Sequence, residues 1–251
     1  MEKSKTKKYS ISIFFPAYNE EENIGALLGE TLREAKLITD DFEIIVVDDG
    51  SKDKTAAKVR DWAKKDKRIK LVCQKKNSGY GAAVWAGFQA SKKNLIFFSD
   101  SDRQFKMKEI KNLIRHIGKH DAVVGYRNPR RDPAMRLLNA WGWKMLIRRI
   151  FKFKIRDVDC AFKLFKADKV KNIKVKSRGA MFSAELMIRL FASGAKIIQV
   201  PVGHYPRKAG KPTGASPKVI KKAFIELFEI KEELKRDLAH IPAKNRAIKS
   251  L

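Results

Sequence analysis

Two aspartates spaced by one residue, Asp100 and Asp102, follow an uninterrupted apolar run from Leu95 to Phe98. Carboxylates in that pattern at a strand end can turn together towards a hard divalent cation, which in turn binds phosphate oxygens. Taken alone, an Asp-x-Asp pair is more often a solvated turn. Two further polar clusters close apolar runs in the same way: Pro16 to Glu20 after Ile11 to Phe15, and Asp48 to Ser51 after Phe42 to Val47. Each has a plain structural reading. Asn19 is expected to cap a helix, with Glu22 reaching back, and Asp-Asp-Gly-Ser is a turn and helix-start signal. The order of all three is what carries information, because ligands in an open parallel sheet bind outside the carboxyl ends of its strands.

The elements needed to place those clusters are legible. Short β-branched runs alternate with amphipathic stretches through the first half, which predicts a mostly parallel α/β sheet covered on both faces. Strands are expected at 11–15, 42–47, 69–73, 95–98 and 122–124, with helices after Asn19, at 54–64, through 90 and at 108–117. Beyond Tyr126 a basic loop (Arg127, Arg130, Arg131, Arg136) leads into a helix from about Ala134 to Phe151, where Trp141 and Trp143 mix with Lys144, Arg148 and Arg149. Such a helix is a candidate membrane-interface element, although packing on the core is an equal expectation. A strand at 162–165, a helix at 182–191, a strand at 196–200 and a last amphipathic helix from about Lys218 to Asp237 complete the pattern. The expected organisation is a basic disordered tail at 1–9, a catalytic domain at 10–215, a helix at 216–238 and a flexible tail at 239–251.

Fifty-six Lys and Arg against twenty-eight Asp and Glu give a net charge of +28. That balance predicts attraction to a polyanion such as nucleic acid, anionic lipid or phosphorylated substrate. Two cysteines imply no disulfide framework and fit a reducing cytoplasm. No run approaches the roughly 18 apolar residues of a spanning helix, so the chain itself is not expected to cross a membrane.

Six segments together resemble the family 2 glycosyltransferases with a GT-A fold, and within them the polyprenyl- and dolichyl-phosphate hexose synthases: FPAYNEEENI (15–24), IIVVDDGSKDKT (44–55), NSGYGAAVWAGF (77–88), LIFFSDSDRQF (95–105), DVDCAFKLF (157–165) and FSAELMIRL (182–190). The resemblance implies a Rossmann-like, mostly parallel sheet and a GDP- or UDP-hexose donor. It implies that Pro16, Tyr18 and Glu20 line the nucleotide pocket, that Asp48 meets the base, and that Asp100, Asp102 and Gln104 hold Mg2+ or Mn2+ with the diphosphate. By the same resemblance Arg127 and Arg136 receive an acceptor phosphate, and Arg207 and Lys218 belong to a basic loop over the donor pyrophosphate. The residues AGKPTGAS between these last two depart from the family pattern.

A polyprenyl phosphate acceptor is already ionised near neutral pH, its second pKa being about 6, so direct inverting attack needs no protein base. The expected setting is the cytoplasmic face of a membrane, as a peripheral protein, with a membrane-spanning protein as a further candidate partner. A hydroxyl acceptor on a soluble saccharide, glycolipid or protein would instead need a carboxylate base, with Asp157 or Asp159 best placed. Asp159 is expected instead to orient loops. Two other readings are weaker. Gly79-Tyr80-Gly81 begins like a dinucleotide fingerprint, but Val84 stands where its third small residue belongs. Nucleic-acid binding fits the charge, but acidic clusters at the sheet ends would repel a phosphate backbone.

Overall fold

The computed structural model describes residues 9–129, 134–207, 209 and 217–251, with the side chains of all but 134–136, 217 and 218. The basic tail expected at the N-terminus lies, up to residue 8, outside the described residues. Chain order runs β1 (Ile11–Ala17), α1 (Glu21–Lys36), β2 (Phe42–Asp48), α2 (Thr55–Lys65), β3 (Ile69–Cys73), α3 (Tyr80–Ala90), β4 (Leu95–Phe98), α4 (Ile110–Ile117) and β5 (Ala122–Arg127). There follow α5 (Ala134–Phe151), β6 (Lys163–Lys166), α6 (Ala167–Val170), α7 (Phe182–Ala192), β7 (Ile197–Val202), α8 (Pro217–Asp237) and β8 (Lys249–Ser250).

Among the described residues these strands form one sheet in the order β3-β2-β1-β4-β6-β5-β7-β8. It is parallel except for β6, which runs antiparallel to both β4 and β5. Every residue of β1 and β2 is buried, so neighbouring side chains must enter two different cores. Ile13 and Phe15 pack under α1 and α4, whereas Phe14 faces α3 and α7. The second core is strongly aromatic: Phe14 stacks on Phe98 at 5.3 Å, and Phe88 meets Phe14, Phe98 and Phe165 edge-on. Such ring pairs add about 0.5–1.5 kcal/mol each beyond simple burial. Gly87 is required by this packing, since a Cβ there would lie 2.3 Å from the Phe14 ring.

Two local expectations differ from the structure. The segment 239–251, expected as a flexible tail, lies along the molecule: β8 pairs in parallel with β7, and Arg246 donates to the carbonyls of Phe151, Leu238 and Ile241. The Phe151 carbonyl is one of the orphan groups at the end of α5, and its satisfaction helps give a polar segment a place to dock. Asn19 is not the helix cap. It adopts a left-handed backbone (φ 55°), accepts from the Lys52 amide at 2.8 Å, and its own amide donates to Ser51 Oγ, so it ties the β1 and β2 exits together.

Candidate active site

The strand order reverses at β1, between β2 and β4, and the loops leaving those three strands converge there. Ser101 Oγ donates to the Pro16 carbonyl at 2.9 Å and the Asp49 amide to the Ala17 carbonyl, which stitches the three exits into one rim. Pro16 is buried in β1 and Tyr18 half-buried just beyond it. Asp48 ends β2, is buried, and accepts from the Ser51 amide at 3.3 Å.

Asp49 has a role that its sequence signature did not show. Its two oxygens accept from the amides of Ser78 (2.8 Å) and Gly79 (3.0 Å), holding the turn that opens α3. Gly79 has φ 99° and a Cβ there would lie 2.9 Å from the Arg178 carbonyl oxygen, so the position excludes a side chain. Burial pushes the Asp49 carboxyl above its ordinary range even though both amides favour its charged form.

Asp100 and Asp102 leave β4 on the same rim. Oδ1 of Asp100 is buried without a hydrogen-bond partner. Burial, and secondly the charge of Asp102, raise the Asp100 carboxyl to about 7, while the nearby Tyr80 hydroxyl favours its ionised form. Asp102 is nearly buried and accepts the Gln104 amide at 3.1 Å. Gln104 is buried, and its Nε2 donates to the Tyr205 carbonyl at 3.1 Å, which leaves the amide oxygen as its remaining acceptor. Among the described residues no three His, Cys, Asp or Glu side chains are grouped to hold a metal alone. An unsatisfied carboxylate beside a second one nevertheless fits a divalent cation that completes its shell with phosphate oxygens.

Arg207 joins this rim from the loop after β7. It forms an ion pair with Glu20, lies 3.7 Å from Asp102 through Nη1, and donates through Nε to the Ala209 carbonyl at 2.7 Å. Glu20 is buried, also accepts from Asn23 at 2.7 Å, and is raised above its ordinary range chiefly by burial. The structure thus brings together Pro16, Tyr18, Glu20, Asp48, Asp100, Asp102, Gln104 and Arg207. The side chains of Arg136 and Lys218 lie outside the described residues.

Arg127 sits elsewhere on the edge, at the end of β5, where an acid pairs with it. Asp157 binds it through both carboxylate oxygens, at 2.7 Å to Nε and 2.7 Å to Nη2. Beside this pair a cavity of about 170 Å3 is lined by Leu137, Trp141, Lys144, Arg156 and Asp159 among others. Trp141 is largely exposed on α5, but Trp143 packs edge-on against Phe224 of α8 at 5.9 Å, so only one of the two tryptophans faces outward. No helix among the described residues is long and apolar enough to cross a membrane.

The mostly parallel sheet carries paired aspartates at its switch point, with Arg207 beside Asp102, and residues 12–174 match the model of glycosyl transferase family 2. The chain belongs to this family. It is 34% identical over 210 residues to the dolichyl-phosphate beta-glucosyltransferase ALG5A of Trichomonas vaginalis, covering 76% of this chain and 64% of that one. It is 28% identical over 204 residues to the dodecaprenyl-phosphate galacturonate synthase of Rhizobium johnstonii, covering 80% and 60%. The chain therefore spans less than two thirds of the length of these curated relatives. Among solved structures, glucosyl-3-phosphoglycerate synthase from Mycobacterium tuberculosis in complex with Mn2+, UDP-glucose and phosphoglyceric acid superposes with a TM-score of 0.73 at 18% identity, over 90% of this chain and 80% of that one. The likeness is one of fold, and this family 2 chain has the GT-A architecture: a mixed, mostly parallel sheet between helical layers.

Proposed function

We propose that this family 2 chain transfers a hexose, with inversion, from a nucleoside diphosphate sugar in a reaction dependent on Mn2+ or Mg2+. The observation that carries the reading is the Asp100 carboxylate, buried with one oxygen unpartnered and close enough to Asp102 to feel its charge, with Arg207 lying 3.7 Å from Asp102. Asp100, Asp102 and the Gln104 amide oxygen are the groups that would hold the cation. Bound there, a divalent ion offsets charge on the departing diphosphate. Glu20 and Asp102 orient the Arg207 guanidinium at the rim, from which it reaches donor phosphate oxygens. Asp48, at the floor of the rim, offers an acceptor to the nucleoside, and Asp49 fixes the Ser78–Gly79 turn that walls the sugar side.

Two acceptors fit the neighbouring edge. A soluble acceptor, as in the synthase that shares this fold, is favoured by Arg127: its guanidinium is bound by Asp157 rather than presented to a lipid phosphate. With a hydroxyl acceptor Asp159, in the adjacent cavity, is the candidate base. A polyprenyl phosphate is favoured by the names of the curated relatives and by an apolar surface: Leu138 and Trp141 on α5, and Ile225 and Phe228 on α8, are all about half exposed or more, with basic residues between them. On this reading the chain works as a peripheral protein at the cytoplasmic membrane face, with α8 as the element that would meet a membrane partner.

A screen of UDP- and GDP-hexoses with Mn2+, run with 3-phosphoglycerate and with undecaprenyl phosphate, tests the proposal. Turnover with either acceptor supports transfer and chooses between them. Absence of nucleotide binding in the presence of Mn2+ would remove the donor reading altogether.

A further inference from the structure

An ammonium taken out of water costs several kcal/mol unless its surroundings offset it. Lys163 is fully buried in the middle of the sheet. As the first residue of the antiparallel strand β6, it pairs in register with Phe98 of β4 and Val124 of β5, at the edge where those strands deliver Asp100 and Arg127. Its Nζ donates to the carbonyl of Val158 at 3.1 Å and to that of Cys160, and lies 5.6 Å from the centre of the Phe98 ring. Among the described residues no carboxylate forms an ion pair with it. Burial lowers the Lys163 pKa, and Asp157, Asp159 and Asp100 act through space in the opposite direction.

The two carbonyls that Lys163 binds flank Asp159 and follow Asp157. Backbone groups so placed would otherwise be buried acceptors without donors, and the turn would be free to shift. Because Asp157 grips Arg127 from this turn, and Asp159 lines the cavity from it, the position of both depends on where those carbonyls are held.

The geometry points to Lys163 as a positioning residue, whose buried ammonium fixes the Asp157–Cys160 turn and through it the acceptor edge beside Arg127. This rests on the reading that this edge receives the acceptor, and it assigns Lys163 no contact with substrate.

The test compares Lys163→Met, which removes charge and donors, with Lys163→Gln, which keeps a donor. Calorimetry with Mn2+ and UDP or GDP reads the donor site, amide hydrogen exchange over 157–162 and 95–102 reads the turn, and transfer kinetics with 3-phosphoglycerate and undecaprenyl phosphate reads the outcome. Expected are a nucleotide Kd within about twofold of the parent protein, faster exchange at 157–162 only, and a kcat reduced by about 10–100-fold, as a misplaced group of this kind costs. Lys163→Gln should lie between the two. In a cycle with Asp157→Asn the losses should be non-additive, because both act through one turn.

Unchanged exchange at 157–162, or additive losses in the cycle, would overturn the inference. So would a nucleotide Kd weakened as much as transfer. If Lys163→Met does not fold, Lys163→Gln decides by the same measurements. Failure of the parent protein to bind either nucleotide with Mn2+ would instead defeat the donor reading, and the exchange data would still judge Lys163.

Discussion

Asp157 and Arg127 form a closed two-point ion pair whose side chains are 8% and 6% exposed. A pair held this far from water is costly to break from one side, because the remaining charge stays buried and unpaired. Asp157→Ala should lower stability by about 3–5 kcal/mol, read from denaturant melts. The double change Asp157→Asn with Arg127→Met should cost less than the two single losses added. Equal and additive losses would mean that the pair is not energetically coupled.

Asp102→Asn should reduce kcat/KM for hexose transfer by at least about 100-fold, the scale on which a preorganised electrostatic group acts. The same protein should keep its melting temperature within a few degrees. A variant with parental turnover would show that the cation and diphosphate are held elsewhere.

The Asp100 carboxyl is raised from 3.8 to about 7 by burial and by Asp102. A raised carboxyl binds its proton more tightly in the folded state, so its contribution to the stability of the metal-free protein is present at low pH and is lost as pH rises from about 4 to about 7. A cation held by this carboxylate would compete with that proton. Affinity for Mn2+ in the presence of UDP should therefore climb towards pH 7 and flatten above it, and Asp100→Asn should remove the climb. A flat profile in the parent protein would contradict the buried setting of this group.

Gly87→Ala would place a methyl group 2.3 Å from the Phe14 ring. Overpacking of this kind costs about 1–3 kcal/mol, which thermal unfolding should show directly. Gly142, where a Cβ meets nothing within 4 Å, provides the comparison on another helix: Gly142→Ala should be neutral or stabilising.

Flotation with anionic liposomes should separate the two acceptor readings. Trp141→Ala with Phe228→Ala removes two of the most exposed apolar side chains of α5 and α8. If the surface meets lipid, the parent protein floats and the variant does so less. No flotation of either protein would leave the soluble acceptor as the reading to pursue.

Much of this architecture was legible from periodicity alone, because residues such as Phe14 and Phe15 must each find a core and only a sheet covered on both faces provides two. The place of Asp100 and Asp102 on the rim was legible only through their company, since two earlier polar clusters close apolar runs in the same way. What escaped the sequence were relationships between distant residues of ordinary local type. Asp49 reads as a turn residue, yet its carboxylate serves a loop thirty positions away. Arg127 reads as an exposed phosphate ligand, and only the fold shows that Asp157 reaches it. Lys163 sits in an apolar stretch as an apparent anomaly, and the carbonyls that accept from it become visible only when β6 is placed between β4 and β5. The end of the chain resembled a polar tail because the carbonyls that anchor Arg246 carry no signature in residue type.

The reversed direction of β6 reaches beyond geometry. Since it enters the sheet from the edge where its neighbours exit, the turn bearing Asp157 can close at the edge that delivers Asp100 only after residues of β4 and β6, distant in the chain, have met. A fragment ending after β5 would carry all the aspartates of the rim but neither this turn nor Arg207. Both nucleotide capture, which calls on Arg207, and sugar transfer, which calls on the turn as well, should thus report on assembly of the entire sheet.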